Sequence, residues 1–211
     1  MKVNMKRLAV LVVITVMATF MMTAMAAAGS LKTQGQYVST GSGSCLLAMI
    51  GFDAETGVPL GVSSGLWLIQ TFTSEGVWTF ERDGTGSFTG LNRSVTPPYN
   101  PPSAAYPPSV GAHSVSFDFQ YTVADGVMSI TADQGTYVIE WIYGPSAPKK
   151  YHLDGFSRTG AITPDGKTIT LNGGVPDKMT FIPTTGDGAM PPGAQNICNG
   201  SYVLIWQNDK P

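Results

Sequence analysis

Few residues in this chain have the types and spacing that catalysis demands. Gly61-Val62-Ser63-Ser64-Gly65 matches the G-x-S-x-G pattern of a serine nucleophile. That pattern works only where a strand leads into a helix and lifts the hydroxyl onto a sharp turn. Here Ser63 precedes a strand, and Gly and Ser are common enough for a chance match. His113 and His152 are the two imidazoles, and neither sits in a motif that pairs a base with a nucleophile. His152, between Tyr151 and Leu153 on a strand, reads as structural. His113 ends a proline-rich stretch and reads as the more exposed of the two. Asp83-Gly84, Asp125-Gly126 and Asp165-Gly166 are hairpin turns, since a calcium loop needs several closely spaced oxygen ligands. With no phosphate-binding Gly loop and no metal-ligand spacing, the sequence assigns no catalytic residue, no metal and no cofactor.

The two cysteines carry more information. Cys45 and Cys198 lie near opposite ends of the chain. In an oxidising compartment the simplest reading is one disulfide that joins those ends. In the chain-entropy view, closing so long a loop contributes on the order of 5 kcal/mol, less native strain. Free thiols or a metal site are the competing readings, and two sulfurs without a His partner make a poor metal site.

An oxidising compartment is also what the N-terminus suggests. Lys2, Lys6 and Arg7 precede an apolar run from Leu8 to Met22 and a small-residue site at Ala24-Met25-Ala26. This is the layout of a secretory signal peptide over residues 1–26, with cleavage expected after Ala26. An uncleaved Leu8–Ala28 segment would be nearly long enough to span a bilayer and is the alternative. Periplasmic or secreted localisation follows from cleavage. The leader holds three of the 12 basic residues, which leaves nine against 14 acidic groups, a net charge of −5. Such a surface has no electrostatic footprint for nucleic acid. Residues 27–211 suffice for one core, and no linker divides them, so one domain is expected.

The elements that would position any site are strands. Val115, Phe117, Phe119, Tyr121 and Val123 alternate with Ser114, Ser116, Asp118, Gln120 and Thr122. That period of two belongs to a strand with one buried and one solvated face. Similar segments recur at Gln34–Thr40, Cys45–Phe52, Leu66–Thr73, Val77–Glu81, Gly86–Leu91 and Val127–Thr131, and then at Thr136–Tyr143 and Lys150–Ser157. Ala161–Thr163, Lys167–Asn172, Lys178–Ile182 and Tyr202–Gln207 complete the set. Ser74-Glu75-Gly76 reads as a turn. About 8–12 short strands without a convincing helix predict an all-β domain. Sequential hairpins favour an antiparallel up-and-down barrel, which removes its own edges; a Greek-key sandwich is the alternative.

Two groups of aromatics stand out. Tyr137, Ile139, Trp141 and Tyr143 share one face of their strand, Trp78 and Phe80 share a face of theirs, and Trp67 and Trp206 add two large rings. Such side chains either fill a close-packed core or line a cavity for an apolar ligand. Glu140 lies opposite the rings and reads as a surface charge. The segment 97–108 packs six prolines with Tyr99 and Tyr106. Proline fixes φ and removes donors, so this stretch is no central strand. It makes 94–113 a long Pro-rich loop, read either as a lid carrying Tyr99 and Tyr106 or as a passive connection.

With Gly35-Gln36-Tyr37 opening a run of short strands, the chain resembles the calycin-type barrels, the group that includes lipocalins. Its phrases Val77–Gly86 and Ile162–Ile169 are similar to those of exported bacterial β-proteins. Tyr37 stands where a lipocalin carries Trp, and the Thr-Asp-Tyr signature is absent. The resemblance implies a closed barrel that binds a small apolar or amphipathic molecule without altering it. Trp67, Trp78, Trp141 and Tyr143 would line the barrel mouth, and Tyr99 and Tyr106 would stand on the lid. An isomerase or cyclase that uses the cavity is a second reading, favoured by an ionisable side chain pointing inward. A surface protein that contacts a partner through the Pro-rich loop is a third.

Overall fold

The computed structural model describes residues 33–60, 67–97, 108–172, 176–183 and 190–207, all within one compact unit. They form eleven strands: β1 (Gly35–Ala48), β2 (Trp67–Phe80), β3 (Thr85–Thr96), β4 (Ser109–Ala124), β5 (Val127–Ala132) and β6 (Tyr137–Tyr143). These are followed by β7 (Lys150–Asp154), β8 (Ser157–Ile162), β9 (Thr168–Asn172), β10 (Asp177–Ile182) and β11 (Gln195–Trp206). All belong to one antiparallel sheet that closes into a ring of eight strands, β1-β2-β3-β4-β5-β8-β9-β11. Closure leaves no unpaired edge to template aggregation.

Two long strands explain where the other three go. One edge of β4 pairs with β3 over its length, while the other is divided: Ala112–Ser116 faces β6 and Phe119–Ala124 faces β5. β11 does the same, pairing with β1 along one edge and with β10 and then β9 along the other. The wall between β4 and β11 therefore consists of two half-height sections, β6-β7-β10 above β5-β8-β9. The chain passes between the two sections three times, at 133–136, at Gly155-Phe156 and between β9 and β10.

Five strands run 12 to 16 residues, longer than the segments expected from sequence. Gly41-Ser42-Gly43-Ser44 and Ser74-Glu75-Gly76 resemble turns yet lie inside β1 and β2. Their glycines answer to close approach rather than to bending. A Cβ on Gly41 would run into the ring of Tyr202, and one on Gly76 would stand 2.6 Å from the ring of Phe88. The opposite error occurs at Lys150–Ser157, which breaks into β7 and β8 at Gly155, whose φ is +98°. The Pro-rich connection also contracts to 97–108, because Ser94–Thr96 and Ser109–His113 are paired in β3 and β4.

The hairpins at Asp83-Gly84, Asp125-Gly126 and Asp165-Gly166 form as expected. Asp125 and Gly126 both take positive φ, the backbone of a two-residue hairpin that matches strand twist. The Asp83 carboxylate accepts from the Thr85 amide at 3.0 Å, and Asp165 does so from Lys167 at 3.1 Å. Each Asp is held below the usual carboxylate range, chiefly by a side-chain hydrogen bond from Thr85 or Thr163. These tight turns all gather at one end of the strand ring. The strand ends that bound the longer connections gather at the other.

The disulfide joins Cys45 to Cys198, which are direct cross-strand partners in β1 and β11. It therefore ties the first strand to the last, as read from the sequence, and fits an oxidising compartment.

The tight-turn end is filled with aromatic rings. Trp78, 1% exposed, packs against Phe88 at 4.6 Å and against Phe117 and Phe119 at 5.5 Å each, in tilted and edge-on geometry. Its indole N–H donates to the Ser39 hydroxyl at 3.1 Å. Tyr37, where the ring is fully buried, donates its hydroxyl to the Gly166 carbonyl at 2.7 Å, and burial pushes its pKa up to about 12.

A buried ion pair clamps the seam. Arg158 of β8 meets Asp177 of β10, and both side chains are 1% exposed. The guanidinium also lies 5.1 Å over the Phe156 ring, while the Ser157 amide donates to Asp177 at 3.3 Å. Burial lowers the Arg158 pKa, countered by the neighbouring Tyr202 and Tyr137 hydroxyls. This pair was not legible in the sequence, where Arg158 and Asp177 sit in unrelated segments.

Candidate functional site

Above the seam the interior opens into a cavity of about 370 Å³, at the lower end of the range for small-molecule sites. Every strand facing it contributes. Leu47, Leu68, Ile139, Trp141, Phe181 and Met190 supply apolar wall; Gln70, His113 and Asn196 supply polar atoms. Thr96, Ser109, Ser146 and Lys149 stand at strand ends or in the 144–149 connection and form the rim. His113, the fifth residue of β4, and Asn196, the second of β11, are the most buried polar residues of the lining and form the floor. β4 and β11 stand opposite each other in the ring of eight, so these two residues face the cavity from opposite walls.

The floor is unusual in its hydrogen bonding. His113 is 4% exposed and Asn196 is 8% exposed, yet His113 Nδ1 and Asn196 Oδ1 have no hydrogen-bond partner. Asn92, which pairs with His113 across β3 and β4, leaves its Oδ1 unpartnered as well. Buried polar atoms without partners cost roughly 1–3 kcal/mol each. Nearby, Gln70 donates to the Ser94 hydroxyl at 3.3 Å, so other polar groups at this level are satisfied. Burial pushes the His113 pKa down to about 4, which keeps the imidazole neutral at pH 7.

His113 was expected to be exposed at the end of the Pro-rich loop; it is instead an inward strand residue. Its position in the sequence shows why this could be read: His113, Val115, Phe117 and Phe119 share one parity, and that parity is the buried one. Asn196 offers no such signal, because it lies outside the segments that the sequence marks as strands.

The proposed aromatic lining separates into four cases. Trp141 does line the cavity, its indole 4.7 Å from the His113 ring. Gly111 leaves room for that indole, since a Cβ there would meet it. Trp78 belongs to the packed core at the other end. Trp67 is half-buried and shares the outward parity of β2 with the exposed Ile69. Tyr143 is 64% exposed on the outer face. A bulge explains this last difference: Trp141 pairs with His113 but Tyr143 pairs with Ala112, so Ile142 is an extra residue and the facing reverses. Tyr143 instead borders an open outer groove of about 970 Å³ with Thr71, Thr73, Val95 and Val110. Tyr99 and Tyr106 lie outside the described residues, as do Gly61–Gly65 and residues 1–26, the expected signal peptide.

His152 sits half-buried on β7, opposite Val138 and Ile182. Among the described residues no group of three or more His, Cys, Asp or Glu side chains could hold a metal ion. No helix among them is long and apolar enough to cross a membrane. No protein-family model matches the chain, and no curated protein matches it in sequence.

Proposed function

We propose that this chain is an exported, calycin-like β-barrel protein that binds a small amphipathic molecule in the cavity between β4 and β11, without changing it chemically. The observation that carries this reading is the pair of buried, unpartnered polar atoms, His113 Nδ1 and Asn196 Oδ1, facing a cavity with apolar walls. A folded chain that leaves polar atoms unpaired loses stability, and such losses concentrate at functional sites. Trp141 and Leu68 would bury the apolar part of the ligand. Export to a periplasm or to the exterior is supported by the leader-like N-terminus and the disulfide. Native mass spectrometry of the full chain, taken from its own source without denaturation, tests the reading. An added small-molecule mass, released on unfolding and missing from the Trp141→Ala variant, is the expected result. Bare protein in every preparation would sink it.

One observation favours a catalytic variant of the same site: His113 is an inward, neutral imidazole, able to accept a proton from a bound substrate. Recovery of a released molecule isomeric with the one loaded, dependent on His113, distinguishes that variant from simple binding.

A further inference from the structure

We infer that the cavity selects an uncharged, hydroxyl-bearing head on an apolar body, and rejects both carboxylates and amines; this rests on the binding reading above. Asn196 Oδ1 and His113 Nδ1 approach from opposite walls without partners, and Asn92 Oδ1 stands beside His113 in the same condition. Amide oxygens accept hydrogen bonds, and a neutral imidazole nitrogen accepts or donates according to tautomer. A hydroxyl both donates and accepts, so it satisfies an amide oxygen and the imidazole whichever tautomer His113 takes.

A charged head fares worse on two counts. A carboxylate placed on the floor would set its charge against the unpartnered Asn196 Oδ1, and no Arg or Lys reaches that depth among the lining residues. Lys149, the one charged side chain lining the cavity, belongs to the 144–149 connection at the rim. An ammonium would find acceptors but no carboxylate, because no Asp or Glu lines the cavity. Burying an unpaired charge costs far more than its hydrogen bonds return. The apolar body has a defined place as well: Leu47, Leu68, Ile139, Trp141 and Phe181 surround the space between floor and rim. Position of the polar floor thus sets the ligand's orientation, head inward and body toward the rim.

The test compares 1-octanol, octanoate and octylamine on the full mature chain at pH 7, reading Trp141 fluorescence and confirming by native mass spectrometry. Octanol is expected to bind about tenfold or more tighter than either charged analogue, the scale of one unmet buried hydrogen bond. The double variant His113→Phe, Asn196→Leu should bind octanol no better than octane, while its melting temperature rises because the unpaired atoms are gone. Octanoate or octylamine binding as tightly as octanol overturns this inference and leaves the binding reading standing. Failure of all three, together with bare protein from the native source, overturns both. An endogenous ligand that carries a charged head overturns the inference alone. Should the double variant not fold, the ranking of the three probes on the unmodified chain decides the matter.

Discussion

The tight-turn end and the long-connection end of this molecule are built on the same five long strands and filled in opposite ways. At the first, Tyr37, Trp78, Phe80, Phe88, Phe117 and Phe119 interlock, and the polar atoms on Tyr37 and Trp78 each find a partner. At the second, His113, Asn92 and Asn196 occupy inward positions of the same strands and leave polar atoms unpaired, and His113 and Asn196 border an open volume. On β1 and β2 the register continues unbroken from one end to the other, so along these strands side-chain choice makes the difference. Elsewhere the wall itself changes, with β6-β7-β10 and the bulge at Ile142 at the cavity end. One end stores stability; the other gives some up to keep space and hydrogen-bonding capacity free, the usual relation between scaffold and site.

Replacing Trp78 by Ala is the sharpest way to break the scaffold half of this contrast. The ring has five aromatic neighbours with centroids 4.6 to 6.4 Å away and anchors Ser39, so its loss should cost about 3–5 kcal/mol. Urea unfolding followed by circular dichroism measures it. A cost near 1 kcal/mol would mean that the aromatic end is no better packed than the cavity end.

The seam is where the two ends are coupled. Arg158→Met leaves Asp177 buried without its cation and should cost about 3–5 kcal/mol, whereas Arg158→Met with Asp177→Leu should recover most of that loss. Equal destabilisation by the single and double variants would show that the pair holds the two half-height sections together by its charge. The disulfide, which pins β1 to β11 just above the seam, should contribute about 2–4 kcal/mol. Thermal melts of the Cys45→Ala, Cys198→Ala double variant read that contribution. Because β1 and β11 pair along twelve residues from Tyr37 to Ala48 regardless of the bridge, the variant should remain folded at room temperature.

Class, closure and end-to-end joining were legible in the sequence for physical reasons. Alternation at 114–123 reports a face directly, and Asp-Gly pairs report hairpins through the φ values they permit. Two cysteines admit one intramolecular pairing. The site was legible only in part. Trp141 could be placed on an inward face, but the bulge at Ile142 that turns Tyr143 outward depends on β4 and cannot be seen from β6 alone. Trp78 and Trp141 look alike as sequence; only the partners across the strands make one a core residue and the other a wall. The floor needs His113 and Asn196 together, from β4 and β11, and such convergence is a property of register. Strand lengths failed where glycines served close contacts with Tyr202 and Phe88, since a glycine under an aromatic ring and a glycine in a turn are the same letter.

A pH titration sharpens the site half. His113 has a folded pKa of about 4 against 6.5 for the free side chain, because burial disfavours the imidazolium. Between those values the unfolded chain binds more protons than the folded one, so stability rises with pH across the window. The full benefit is present above about pH 6.5. It is lost as pH falls toward 4, by an amount on the order of 2–3 kcal/mol. Asp53, Asp83 and Asp165 are all held low by hydrogen bonds, which moves their own contributions to more acidic pH. Unfolding free energies of the unmodified chain and of His113→Phe, compared between pH 4.5 and 7, isolate the histidine. Parallel curves would mean that the imidazole is hydrated, and the floor would no longer count as buried.

The smallest stability effect belongs to the residue with the largest expected effect on binding. Trp141 is half-buried, faces open volume on one side and touches His113 on the other. Its removal creates little new cavity, because the space beside it is already empty, so Trp141→Ala should cost only about 1 kcal/mol, the worth of one aromatic contact beyond area. Trp78→Ala removes the same side chain three to five times as expensively. Chemical denaturation of the two variants side by side therefore measures the contrast between the ends with side-chain chemistry held constant. Similar costs would place Trp141 in a close-packed core and remove the space on which ligand binding depends.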